Sequence, residues 1–140
     1  MGKINLQRVV LGGLLAGLVL NVVDFVLYGV VLADEMNAAM QALGKSPIGN
    51  SAVGWFVTVD FLYGIALVWA YAAIRPRFGV GPRTAVYAGL FMWVVIGLLH
   101  ALGDMPMGLW PQKFYVIGVL VALVQLPAAA VAGATIYREA

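Results

Sequence analysis

Asp24 and Asp60 are carboxylic acids set inside long apolar runs, so they are the first residues to read for chemistry. A charged or polar group in hydrocarbon is costly and normally faces other helices or a cavity. Asn21, Asp24 and Tyr28 fall on one helical face with Gly13 and Gly17, at i, i+4, i+8, i+11 and i+15 from Gly13. Asp60 and Tyr63 lie one turn apart, and Gln125 stands in the middle of another apolar run. His100 and Asp104 are spaced i, i+4 at the end of a third. Val23-Asp24-Phe25 with Tyr28-Gly29 resembles Val59-Asp60-Phe61 with Tyr63-Gly64, although residues this common in the chain also pair up by chance.

Two acids with a histidine above them can take up protons or bind a cation. The same acids, protonated and hydrogen-bonded to Asn21, Gln125 or Tyr hydroxyls, can instead be interhelical glue. Such a bond is worth about 0.6 kcal/mol in a membrane, and Ser or Asn would supply it at lower cost. Asp24, Asp60 and His100 are acceptable metal ligands by type, but no His-x-x-x-His or Glu-x-x-His spacing supports a metal, and none is expected. The single His excludes haem with two His ligands, and the lack of Cys excludes thiolate sites. His100 and Asp104 could form an acid–base pair. No nucleophile motif or phosphate-cradling loop accompanies them, so an enzyme has the least support and no cofactor is named.

The elements that must position these groups are apolar helices. Of the 140 residues 64% are hydrophobic and 10% charged, against about 25% charged in soluble domains. A small water-soluble domain could not hide that much apolar surface. Runs over residues 9–32, 53–74, 84–102 and 114–137 are long enough to span or nearly span a bilayer, the third being the shortest. Four segments cannot close a barrel, so the expected fold is an all-α, four-helix transmembrane bundle forming a single domain over residues 1–140. Lys3 and Arg8 before an apolar stretch resemble a signal peptide, but the run is too long and lacks a small-x-small cleavage site, so a retained first helix is expected.

With four crossings, Lys3, Arg8, Arg75, Arg77, Arg83 and Arg138 fall on one side, and only Lys45 and Lys113 on the other. The positive-inside rule then places both termini in the cytoplasm. The scattered basic residues read as topology signals and not as a nucleic-acid patch. Trp55, Trp110 and Tyr115 are expected at the outer boundary, with Trp69, Tyr71, Tyr87 and Tyr137 nearer the inner one. In the first outer connection, Met36, Met40 and Leu43 follow Asp34 and Glu35 at helical spacing, predicting a short amphipathic helix ended by Gly44.

Each span carries one small-and-polar stripe. Gly13 and Gly17 form a G-x-x-x-G pair; Val53, Val57, Asp60 and Gly64 share a side; Gly89, Trp93, Gly97 and His100 make a third stripe. The fourth is Gly118, Ala122, Gln125, Ala129 and Gly133. Gly13, Gly17, Gly118 and Gly133 are the expected packing glycines. Asn21 and Gln125 fall near the midplane, with both aspartates at matched depth about 5 Å outward. The predicted site is thus Asn21, Asp24, Tyr28, Asp60, Tyr63, His100 and Gln125, with Asn21 and Gln125 holding the carboxyls and His100 at the mouth.

Gly17…Asn21-Val22-Val23-Asp24…Tyr28-Gly29-Val30-Val31-Leu32, Gly89…Met105-Pro106-Met107-Gly108 and Ala132-Gly133-Ala134-Thr135-Ile136-Tyr137-Arg138 resemble a family of small, uncharacterised bacterial four-span membrane proteins. The resemblance implies a four-helix fold in a bacterial inner membrane and supplies no activity. The leading expectation is a non-enzymatic membrane protein with an outward-facing polar pocket, serving proton- or cation-linked binding or transport. The alternative is an accessory subunit of a larger membrane complex. The expected partners are the lipid bilayer and either further copies of the chain or a host complex.

Overall fold

Asn5 starts the first helix by accepting a hydrogen bond from the Arg8 amide on its side-chain oxygen at 3.1 Å, an N-cap that satisfies one of the free amides of the first turn. From there α1 (Leu6–Asp24) runs without a break into a π-helical stretch, Phe25–Val31. The computed structural model describes residues 3–139, and among them there is no strand. A short α2 (Ala33–Ala42) follows, then α3 (Asn50–Phe78), then α4 (Pro82–Met92). A second π-helical stretch, Trp93–Leu99, carries α4 into α5 (His100–Asp104) and a closing turn at Met105–Met107; α6 (Gln112–Ala134) completes the order. Gly44 ends α2 with φ at 69°, a conformation that suits glycine, and the Lys45 amide reaches back to the Met40 carbonyl at 3.0 Å.

Four continuous helices are long and apolar enough to cross a membrane: Leu6–Val31, Asn50–Phe78, Pro82–Met107 and Gln112–Ala134. Only 17–33% of each apolar window is buried inside the protein. Large side chains such as Phe25, Trp55, Phe91 and Val124 stand exposed around the outside. This is the pattern of a bundle solvated by lipid, and it is compatible with a multi-pass membrane protein. The third span, expected to be the shortest, is 26 residues, and the fourth is shortest at 23. The helix continues past Leu102, and His100 and Asp104 lie along it with their side chains 3.3 Å apart. At its other end, α6 stops earlier than the apolar run, where Thr135 turns its hydroxyl onto the Ala132 carbonyl at 2.6 Å.

Close backbone approach holds the helices together, as expected where lipid removes the hydrophobic drive between them. A methyl group added at Gly64 of α3 would fall on the backbone of Gly13 and Gly17, so these three glycines bring α1 and α3 into contact. Gly12 and Gly133 do the same for α1 and α6, and Gly89 meets the backbone of Pro127 to seat α4 on α6. Around these contacts Ala16, Leu67, Val68, Ala85, Ala129 and Ala130 are fully buried.

The start of α1 and the ends of α3 and α6 gather at one end of the bundle. Tyr71 and Tyr137 meet edge to face at 5.9 Å, the Tyr137 hydroxyl accepts from the Asn5 amide at 3.4 Å, and Arg75 lies over the Tyr137 ring. Tyr71 and Tyr137 are buried packing residues at this end of the bundle. At the opposite end, Met36 and Ala39 of α2 pack against Phe114 and Trp110. A Lys113–Glu35 ion pair ties the same two elements.

Candidate functional site

The register of α1 against α3 sets the site. Asn21 donates its amide to the Val57 carbonyl of α3 at 3.3 Å and to the Gly17 carbonyl of its own helix at 2.9 Å. Asp24 lies three residues beyond Asn21 in one direction, and Asp60 three residues from Val57 in the other. The two aspartates are thus roughly 9 Å apart along the helix axes at ~1.5 Å per residue, not at matched depth. Helical side chains lean toward their own N-terminus, and in this antiparallel pair that leans the two carboxyls toward each other.

Between α1, α3, the π-helical stretch before α5, and α6 lies a cavity of about 240 Å³. Six of the seven predicted site residues border it: Asp24, Tyr28, Asp60, Tyr63, His100 and Gln125. Gln125 is buried, and its amide donates to Asp24 Oδ1 at 2.9 Å and to the Leu20 carbonyl at 3.2 Å. His100 and Asp104 sit at the periphery with side chains 71% and 41% exposed.

Asn21 is the exception. It does not hold a carboxyl, because the close approach at Gly17 and Gly64 puts the Val57 carbonyl within its reach first. It borders a second cavity of about 320 Å³, which extends from Asp24, Tyr28 and Asp60 to the underside of α2. Those three residues line both spaces and form the wall between them. Of the expected packing glycines, Gly13, Gly17 and Gly133 meet neighbouring backbone. Gly118 does not; it leaves room in the cavity for the Tyr28 hydroxyl, which a Cβ there would meet at 3.0 Å.

Sequence reasoning missed two features of this site. Tyr115, assigned to the membrane boundary, borders the first cavity, and its hydroxyl is buried with no hydrogen-bond partner among the described residues. Both π-helical stretches also adjoin the cavities. In the first, the Leu32 amide skips to the Leu27 carbonyl at 2.8 Å, and the stretch presents Tyr28; the second presents Ile96 and Gly97. Such turns are rare and frequently mark functional positions, and Gly29 and Gly97 inside them were the available signal.

Chemically the first cavity offers carboxyls, phenols, an amide and an imidazole, with no lysine or arginine among its described lining residues. It suits a proton or a small cationic or hydrogen-bonding guest. Among the described residues no group of three His, Cys, Asp or Glu converges as a metal centre. Comparisons with protein families, curated proteins and solved structures return no match.

Proposed function

We propose that this chain is a non-enzymatic multi-pass membrane protein whose intramembrane pocket reversibly takes up a proton or a small cation on Asp24 and Asp60. The observation that carries this reading is the convergence of Asp24, Asp60, Tyr28, His100 and Gln125 from different helices on one cavity. Glue would not need an open space at its centre. The pocket opens outward and both termini are cytoplasmic. Support comes from Lys3, Arg8, Arg75, Arg77, Arg83 and Arg138, which belong to the end of the bundle where α1 begins and α3 and α6 finish. On this orientation α2 lies at the outer membrane surface with Met36 and Met40 turned toward the bundle and the bilayer.

Proton uptake by the purified protein after a pH jump, followed with a soluble pH dye, tests the reading. Cation binding is followed in parallel by calorimetry. Asp24→Asn and Asp60→Asn retain hydrogen bonding and should leave folding nearly unchanged while removing uptake. Folded variants that still take up protons and cations as the parent does would refute it.

A further inference from the structure

The second cavity differs in kind from the first. It lies under α2, between the end of α1 and the first turns of α3, as a cleft open to the outside, and its walls are largely hydrocarbon: the rings of Phe25 and Phe56, both more than half exposed, and the aliphatic face of Val53. Its polar side chains are the carboxyls of Asp24 and Asp60, the amides of Asn21 and Asn37, and Tyr28. Among its described lining residues there is no lysine, arginine or histidine. An apolar chamber of about 320 Å³ with acids at one end selects a guest with an apolar body and a positive head. Aromatic faces favour such a head further. The charge of the chamber also argues against a phospholipid headgroup as the source of the ammonium. Its phosphate would enter beside two carboxyls with no cation to receive it.

We propose that the cavity beneath α2 binds a lipophilic organic ammonium ion, with its charge against Asp24 and Asp60 and its apolar body among Phe25, Phe56 and Val53. Because these two acids also wall the first cavity, the ammonium and the guest of that cavity compete for the same carboxyls, and binding of one expels the other.

The test uses the full chain in a nonionic detergent with benzyltrimethylammonium as probe, read by ligand-observed NMR and calorimetry. Its neutral isostere, neopentylbenzene, has the same shape without the charge. The cation should bind at least tenfold more tightly than the isostere, and phosphatidylethanolamine added in mixed micelles with the detergent should not displace it. Val53→Trp, which fills the chamber, should weaken the probe at least tenfold. Equal binding of the two probes, displacement by the phospholipid, or unaltered affinity in a folded Val53→Trp protein would each overturn the assignment. The isostere comparison needs no variant and so does not depend on any substitution folding. Proton uptake without ammonium binding would sink this inference alone. Ammonium binding without uptake of either protons or small inorganic cations would sink only the reading of the first cavity.

Discussion

Gln125 donates its side-chain amide to Oδ1 of Asp24 at 2.9 Å, joining the middle of α6 to the last residue of α1 across the edge of the cavity. The same nitrogen also reaches the Leu20 carbonyl at 3.2 Å, so one amide fixes both the carboxyl and the backbone turn below it. An acid held in this way presents its second oxygen to the cavity in a defined direction.

Gln125→Leu keeps the bulk of the side chain and removes that donor. The expected cost is about 1 kcal/mol, because the amide makes two interhelical hydrogen bonds worth about 0.6 kcal/mol each in a membrane protein. It should appear as a lowered unfolding midpoint by circular dichroism in detergent, while Asp24→Asn should unfold close to the parent. A Gln125→Leu protein as stable as the parent would mean that the bond contributes nothing to holding α1 on α6.

Gly64 makes a sharper case. An added Cβ would collide with the backbone of Gly13 and Gly17, which cannot yield as a side-chain tip can. Gly64→Ala should therefore cost on the order of 3 kcal/mol, toward the upper end for overpacking, by forcing α1 and α3 apart. Gly54 lies two to three turns along the same helix with open space where its Cβ would be. Gly54→Ala should be neutral or slightly stabilising, since alanine is the better helix former. Comparing the two melting curves checks the contrast on a single helix.

The helical layout was readable because run length and the scarcity of charge leave few alternatives in lipid. The facing of Gln125 and Asp24 was readable too, since both stand on glycine-containing stripes. The partner of Asn21 was not. Whether an amide reaches a carboxyl or a carbonyl depends on the α1–α3 register, which Gly13, Gly17 and Gly64 set through contacts that periodicity does not encode. The equal depths expected for Asp24 and Asp60 failed for the same reason. Tyr115 was missed because a tyrosine near the end of a span carries the same signal whether it turns to the headgroups or into the bundle. The π-helical stretches depend on a hydrogen-bond slip such as Leu32 to Leu27, which tertiary packing decides and local propensity does not.

The proposed orientation makes a direct expectation for chemical labelling. The chain has no cysteine, so an introduced one reports alone. Ser46, exposed between α2 and α3, belongs to the outer side, and Val80, exposed in the turn between α3 and α4, to the inner side. A membrane-impermeant maleimide should label Ser46→Cys in intact cells and spare Val80→Cys until the membrane is opened. The reverse pattern would invert the orientation and turn the mouth at His100 toward the cytoplasm.

The last expectation concerns α2 as a cover. The Glu35–Lys113 ion pair ties its first turn to the start of α6, and Met36 and Ala39 pack on Phe114 and its neighbours. Both charged side chains are about half exposed, so the pair contributes no more than about 0.5–1 kcal/mol, most of it at low salt. That is enough to raise the open fraction of α2 by about two- to fivefold when the pair is lost, given that about 1.4 kcal/mol is tenfold. Met36 is partly buried and lines the chamber beneath α2, so Met36→Cys should react with a maleimide about two- to fivefold faster in a Lys113→Ala background. High salt should raise the rate of Met36→Cys alone toward the same value and leave the Lys113→Ala rate nearly unchanged. Rates indifferent to both Lys113 and salt would show that apolar packing on Phe114 alone holds α2 down, and that the ion pair has no part in admitting a guest.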